Sequence, residues 1–254
     1  MPHLKVGSMI TDADLIVFDK DGTLIDFHAF WGPRMVQSAK VLCSALGDDG
    51  PLRENLYMAS GYDHQNDRTM SQSPLATAPL RDLETVMSAV LFQWGLPWDE
   101  ARAFVSQYFS PVMRALPKPE EIKPRGDVQQ ALKHLGAAGF RLAVATTDNR
   151  DLTEFALDTI GATALFEFVV CGDDTSVPAK PDPRVLEFLG EQLDIPVGRM
   201  VMVGDTVSDM EMANRAGAAL AVGLPGGADT QEALNDAANV LVQSIEELLP
   251  HDTS

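Results

Sequence analysis

From Leu15 to Phe18 four consecutive apolar residues stop abruptly at Asp19, and Lys20, Asp21, Gly22 and Thr23 follow. A short run that is apolar at every position suits a strand buried on both faces of a parallel sheet. Ligands of open α/β sheets sit just beyond the carboxyl ends of such strands. Two carboxyl groups placed there are costly without compensation, and a hard cation such as Mg²⁺ supplies it. The rest of the chain must provide the partners of this pair.

The same rhythm returns after residue 127, where strand-like and helix-like segments alternate and predict parallel βαβ units. Apolar strands are expected over 140–145, 166–171 and 200–203, with shorter ones at 218–222 and 240–242. Helices are expected over 128–138, 152–160, 183–193 and 208–216, and a last one over 244–249. The fold class is α/β, a Rossmann-like doubly wound parallel sheet. Residues 27–117 break the rhythm. Helical spacing over 31–46, 51–59, 79–94 and 97–115 has no strand between its segments, and 61–78 is polar and loop-like. This predicts a core of residues 1–26 and 118–254 carrying an inserted all-α cap domain, 27–117. The hinges fall near residue 26 and in the segment containing Pro117, Pro119 and Pro124, whose prolines suit rigid-body closure.

With 37 acidic against 19 basic residues the formal net charge is −18, so nucleic acid and anionic membranes are expected to be repelled. An anionic small substrate then needs a metal ion and local cations. Cys43 and Cys171 have no metal-binding or disulfide spacing, and no signal peptide or spanning segment is expected, which together point to a cytoplasmic protein.

Three further strand ends carry polar groups. Thr146 ends the strand at 140–145 and is followed by Thr147, Asp148 and Asn149, so a hydroxyl precedes a helix whose first amides are unpaired. That arrangement serves either as a phosphate site or as a plain N-cap. Lys180 lies between Pro178 and Pro181, which aim it at one place, where its charge could neutralise a phosphate oxygen. Gly204, Asp205 and Asp209 close the strand at 200–203, and a helix starting near 206 would turn both carboxylates to one side. Asp19 is the candidate nucleophile toward phosphorus, and Asp21 the acid that protonates the leaving group and then activates water. Lys20 would point to the other side of an extended chain and is given no catalytic role. Gly22 is expected to free a tight turn, and Thr23 to order or cap it.

In order and spacing, Asp-x-Asp-Gly-Thr, the strand-terminal Thr146, Lys180 ahead of Pro181, and Gly-Asp-x-x-x-Asp resemble the four motifs of the haloacid dehalogenase (HAD) superfamily. The resemblance implies that Asp19, Asp21, Thr146 and Lys180 are catalytic. It implies that Mg²⁺ is held by Asp19, the main-chain carbonyl of Asp21, and Asp205, with Asp209 binding directly, through water or only orienting its neighbours. Haloacid dehalogenases usually carry Tyr, and phosphonoacetaldehyde hydrolases Ala, where this chain has Asp21, so phosphoryl transfer is favoured. The layout is similar to phosphoglycolate phosphatase-like enzymes, acting on a small-molecule phosphate ester. Thr146, Thr147 and Lys180 would bind substrate. Near the core–cap junction Asp26, His28, Trp31 and Arg34 could approach it, and Arg68 could meet an anionic leaving group. A β-phosphoglucomutase-like phosphomutase and a non-catalytic phosphometabolite-binding protein remain the alternatives, and no oligomeric state is implied.

Overall fold

The computed structural model of the chain describes residues 2–48 and 50–251. The chain opens with an antiparallel pair, β1 (His3–Val6) and β2 (Met9–Asp12), before entering the apolar strand β3 (Leu15–Phe18). Helices α1 (Phe27–Leu46) and α2 (Pro51–Ser60) follow, then a minimal hairpin of β4 (Tyr62–Asp63) and β5 (Arg68–Thr69). After α3 (Pro74–Thr77) and α4 (Leu80–Gln93), helix α5 (Trp98–Phe104) runs through a π-helical turn at Val105–Phe109 into α6 (Ser110–Arg114). From α7 (Val128–Ala137) the elements alternate: β6 (Arg141–Ala145), α8 (Arg150–Thr159), β7 (Phe168–Val170) and α9 (Arg184–Leu193). They continue through β8 (Met200–Gly204), α10 (Val207–Ala216), β9 (Leu220–Gly223), α11 (Gln231–Ala237) and β10 (Val240–Leu241). The last strand, β11 (Leu248–His251), returns to pair antiparallel with β1.

Six strands make one parallel sheet in the order β10-β9-β8-β3-β6-β7. The chain moves outward from β3 to β6 and β7, then comes back to the other edge of β3 with β8. This reversal makes a crevice beside β3, the place where sheets of this class take ligands. Strand β3 is apolar throughout because Ile16 and Phe18 pack into one hydrophobic layer while Leu15 and Val17 pack into the other. Phe18 lies opposite both Val144 and Val203, so the residues following β3, β6 and β8 emerge along one edge. A third hydrophobic cluster fills the space among α1, α2, α4 and the α5–α6 segment, and it reaches the sheet layers through Leu152, Ala156 and Ala228. Asp26 starts α1 by accepting a hydrogen bond from the Ala29 amide at 3.0 Å. Among the described residues no helix is long and apolar enough to cross a membrane.

The structure departs from the sequence expectation at four places. The helix expected over 244–249 is one 3₁₀ turn, Ile245–Glu247, followed by β11. Ser244 and Glu247 cap that turn reciprocally, but Pro250 holds the residue before it extended, and Leu248 buried beside exposed Leu249 gives a strand's alternation. The N-terminal segment carries the same period of two in Leu4 and Val6, both fully buried, and forms β1. The loop expected over 61–78 contains β4, β5 and α3. The single helix expected over 97–115 is interrupted by the π-helical turn, where the Ser110 hydroxyl donates to the Val105 carbonyl at 3.1 Å. Pro111, which has no N–H to give an α-helical ladder, follows directly.

Candidate active site

Beyond β3 the backbone turns back on itself instead of continuing extended. The Lys20 carbonyl accepts hydrogen bonds from the amides of Thr23, Leu24 and Ile25 at 3.3, 2.9 and 3.1 Å. Gly22 sits at φ +83°, and a Cβ there would lie 2.0 Å from Asp205 Oδ2, so no other residue fits this turn. Thr23 secures it from the other side by donating to Asp205 Oδ1 at 3.3 Å.

Asp19 is buried at the mouth of the crevice, its amide bonded to the Val203 carbonyl at 2.9 Å. Lys180 Nζ reaches Asp19 Oδ1 at 2.6 Å and Asp209 Oδ1 at 2.7 Å. Asp205 is fully buried, and its Oδ2 accepts from the Ala228 amide at 2.6 Å. Asp209 completes a capping box at the start of α10: Thr206 Oγ1 and the Thr206 amide both donate to its Oδ2, at 2.7 and 3.1 Å. Helix capping and participation in the cluster are therefore both roles of Asp209. Carboxylate oxygens of Asp19, Asp205 and Asp209 all lie within 4.8 Å of one another. Burial pushes the Asp205 carboxyl well up, and the charges of Asp19 and Asp209 add to the shift. Three buried acids sharing one ammonium group leave an excess of negative charge that fits a divalent cation with oxygen ligands.

Thr146 follows β6, its amide bonded to the Val170 carbonyl at 3.0 Å and its Oγ1 accepting from the Asp148 amide at 3.1 Å. Thr146, Thr147, Asp19, Asp21 and Lys180 line one cleft. Trp31, from the first turns of α1, lines it as well, while also belonging to the hydrophobic cluster of the helices.

Several residues lie elsewhere than their sequence positions suggest. Arg34 does not line the cleft: its guanidinium donates to the Val112 and Met113 carbonyls, each at 3.2 Å, and stacks over the Phe30 ring at 4.4 Å. Those carbonyls end α6 and have no partner within their helix, so a buried cation is spent on them. Arg68 is exposed in β5 and lines another cavity, together with His28 and Asp229. His28 Nε2 lies 2.9 Å from the Gly227 carbonyl. Asp26 is occupied as the cap of α1.

Lys20 is the residue that sequence reasoning missed. It is fully buried, and its Nζ lies 2.8 Å from Asp21 and 2.8 Å from Asp148. The expectation that it points away assumed an extended chain; the turn at 20–25 swings it inward. Burial pushes the Asp148 carboxyl up while Lys20 pulls it back. The available signal was a lysine embedded between an apolar strand and an acidic turn, with a second acid following the next strand. We expect Lys20→Met to lose about 3–5 kcal/mol of unfolding free energy in urea, because two buried acids lose their counter-charge. Adding Asp148→Asn to it should recover part of that loss.

Residues 13–217 match the family model described as haloacid dehalogenase-like hydrolase. The phosphoglycolate phosphatase of Colwellia psychrerythraea is 26% identical over 226 residues, covering 89% of this chain and 90% of that protein. That of Vibrio vulnificus is 30% identical over 207 residues, covering 81% of each. A HAD phosphatase from Thermococcus onnurineus, of known structure, shares the fold with a TM-score of 0.63 over 92% of this chain and 95% of that one, at 22% identity.

Proposed function

We propose that this chain, which belongs to the haloacid dehalogenase-like hydrolase family and is a phosphatase, hydrolyses a small phosphomonoester in two steps through a phosphoryl group carried on Asp19. The observation that carries the reading is the 2.6 Å contact of Lys180 on Asp19 inside a three-carboxylate cluster at the edge of the parallel sheet. Asp19, Asp205 and Asp209 would hold Mg²⁺, with the Asp21 main-chain carbonyl as a further oxygen donor. When bound, the ion supplies positive charge that neutralises the phosphate oxygens and the acidic cluster.

The chain's own groups account for the remaining chemistry. Thr146, Thr147 and Lys180 bind and orient the phosphate. An Asp19 oxygen attacks phosphorus, the phosphorus–oxygen bond of the ester breaks, and Asp21 gives its proton to the departing alkoxide. Asp21, now ionised, takes a proton from a water molecule that attacks the phosphorus of the acyl phosphate. Inorganic phosphate leaves, and the Asp19 carboxylate is restored. Residues 27–117 would serve as a cap over the leaving group, hinged on the core formed by 1–26 and 118–254, and would exclude bulk water during the reaction.

A panel of phosphomonoesters, incubated with and without Mg²⁺ and assayed for phosphate, tests this reading. Release of inorganic phosphate that EDTA silences and Mg²⁺ restores is the expected result. Full activity after thorough chelation would contradict the metal assignment. Conversion to an isomeric ester without free phosphate would replace hydrolysis by mutase action.

A further inference from the structure

The cleft above Asp19 has two unlike halves. Its floor carries the acidic and hydroxyl groups already described. Its opposite wall, built from α1, α3 and α4, is apolar: Phe27, Trp31, Leu75, Ala76, Leu80 and Leu83 all line it, and each is at least nine-tenths buried. A leaving group attached to a phosphate on Asp19 would lie against this wall.

Among the described residues, the cations near the cleft already have partners away from this wall. Lys180 is held by Asp19 and Asp209, and Lys20 by Asp21 and Asp148. Arg34 serves the end of α6, and Arg68 faces another cavity. Arg81, exposed on α4, donates to the Gly172 carbonyl at 3.3 Å and lies 3.6 Å from Asp82. Of the charged groups, Asp19, Asp21, Asp148 and Lys180 line the cleft, all on its floor. A second carboxylate on the substrate would be desolvated against an apolar wall that carries no cation among the described residues.

We propose that the substrate of this chain is the phosphomonoester of a small, uncharged alcohol with a hydrocarbon body, and that esters carrying a second anionic group are disfavoured. The inference rests on the phosphatase reading above. It separates this chain from the relatives named for phosphoglycolate, an ester whose alcohol carries a carboxylate. On an apolar wall each additional buried methylene raises affinity about fourfold. Thr77, half-buried on the same wall, marks where an added charge would face the substrate.

The test compares n-butyl phosphate with 2-phosphoglycolate by kcat/KM in the presence of Mg²⁺, for the wild type and Thr77→Lys. Calorimetric binding of both esters to Asp19→Asn with Mg²⁺ runs in parallel. Glycolate is the better leaving group, so intrinsic reactivity works against the expected ranking. We expect the butyl ester to be preferred about tenfold or more in both measurements, and Thr77→Lys to narrow or reverse the gap by improving 2-phosphoglycolate. Equal or better use and binding of 2-phosphoglycolate by the wild type would overturn the proposal, as would failure of the butyl ester to bind. If neither ester nor p-nitrophenyl phosphate releases phosphate, the phosphatase reading falls, while the calorimetric ranking still decides the preference of the cleft.

Discussion

Asp19→Asn should lower kcat by on the order of 10⁴-fold while leaving the fold intact. The amide oxygen of Asn can still accept the hydrogen bond that Lys180 now gives to Asp19 Oδ1 at 2.6 Å, so the local geometry has no reason to collapse. It cannot act as a nucleophile toward phosphorus. The substitution also removes one charge from a crowded acidic cluster. Burial pushes the Asp19 carboxyl well up, against the pull of Lys180, with Asp209 and Asp21 adding to the shift. A carboxyl whose folded pKa is raised binds its proton more tightly when folded. It therefore costs stability as pH rises from the ordinary value of about 3.9 toward neutrality. Without metal, Asp19→Asn should melt at or above the wild-type temperature, and the gap should widen from pH 4 to pH 7. Circular dichroism melts across that range check the sign, and phosphate release checks the rate. A metal-free variant less stable than the wild type at pH 7, or one that retains near-normal turnover, would contradict the role given to Asp19.

Lys180→Met should be the second most damaging change, because this side chain serves both chemistry and folding. Its ammonium group is the one cation in direct contact with Asp19 and Asp209 among the described residues, and it is almost fully buried. Without it three buried acids face one another uncompensated, which costs about 3–5 kcal/mol of unfolding free energy in the metal-free protein. Turnover should fall by on the order of 10³-fold, as expected when a preorganised charge on the reacting group is lost. Methionine keeps the length and apolar volume of the lysine stem, so the loss reports charge more than packing. Mg²⁺ should restore part of the stability, since it binds only the folded cluster, but little of the rate. Urea unfolding with and without Mg²⁺, together with single-turnover kinetics, separates the two effects. A variant within threefold of wild-type turnover would remove Lys180 from the chemistry.

What the sequence made readable was the sheet and the polar groups that end its strands. Uniformly apolar runs such as Leu15–Phe18 leave no choice about burial, and in a parallel sheet their C-terminal ends share an edge. The fold class follows from that regularity, and the resemblance to the family rests on the four polar motifs at those strand ends. Side-chain direction in turns was not readable. Lys20 was expected to point away because an extended chain alternates, whereas three amides bonded to its carbonyl bend the chain and bury it. Arg34 was expected near substrate because of its place in the chain, but the helix end at Val112 and Met113 that claims it lies 78 and 79 residues further on. No local pattern encodes a partner so distant. The strands at the two termini were missed for a related reason: β1 and β11 are short, and each is stabilised by pairing with the other end of the chain. The same limit applies to the leaving group, since the apolar wall of the cleft is assembled from three separate helices.

The account turns on the phosphoryl group passing through the enzyme and not directly to water. The stereochemical course at phosphorus, followed with an isotopically chiral thiophosphate ester and labelled water, tests this most directly. Each in-line displacement inverts the phosphorus centre, so two successive transfers return it to its starting configuration. We expect retention. Inversion would mean a single attack by water, and Asp19 would lose its place as the acceptor.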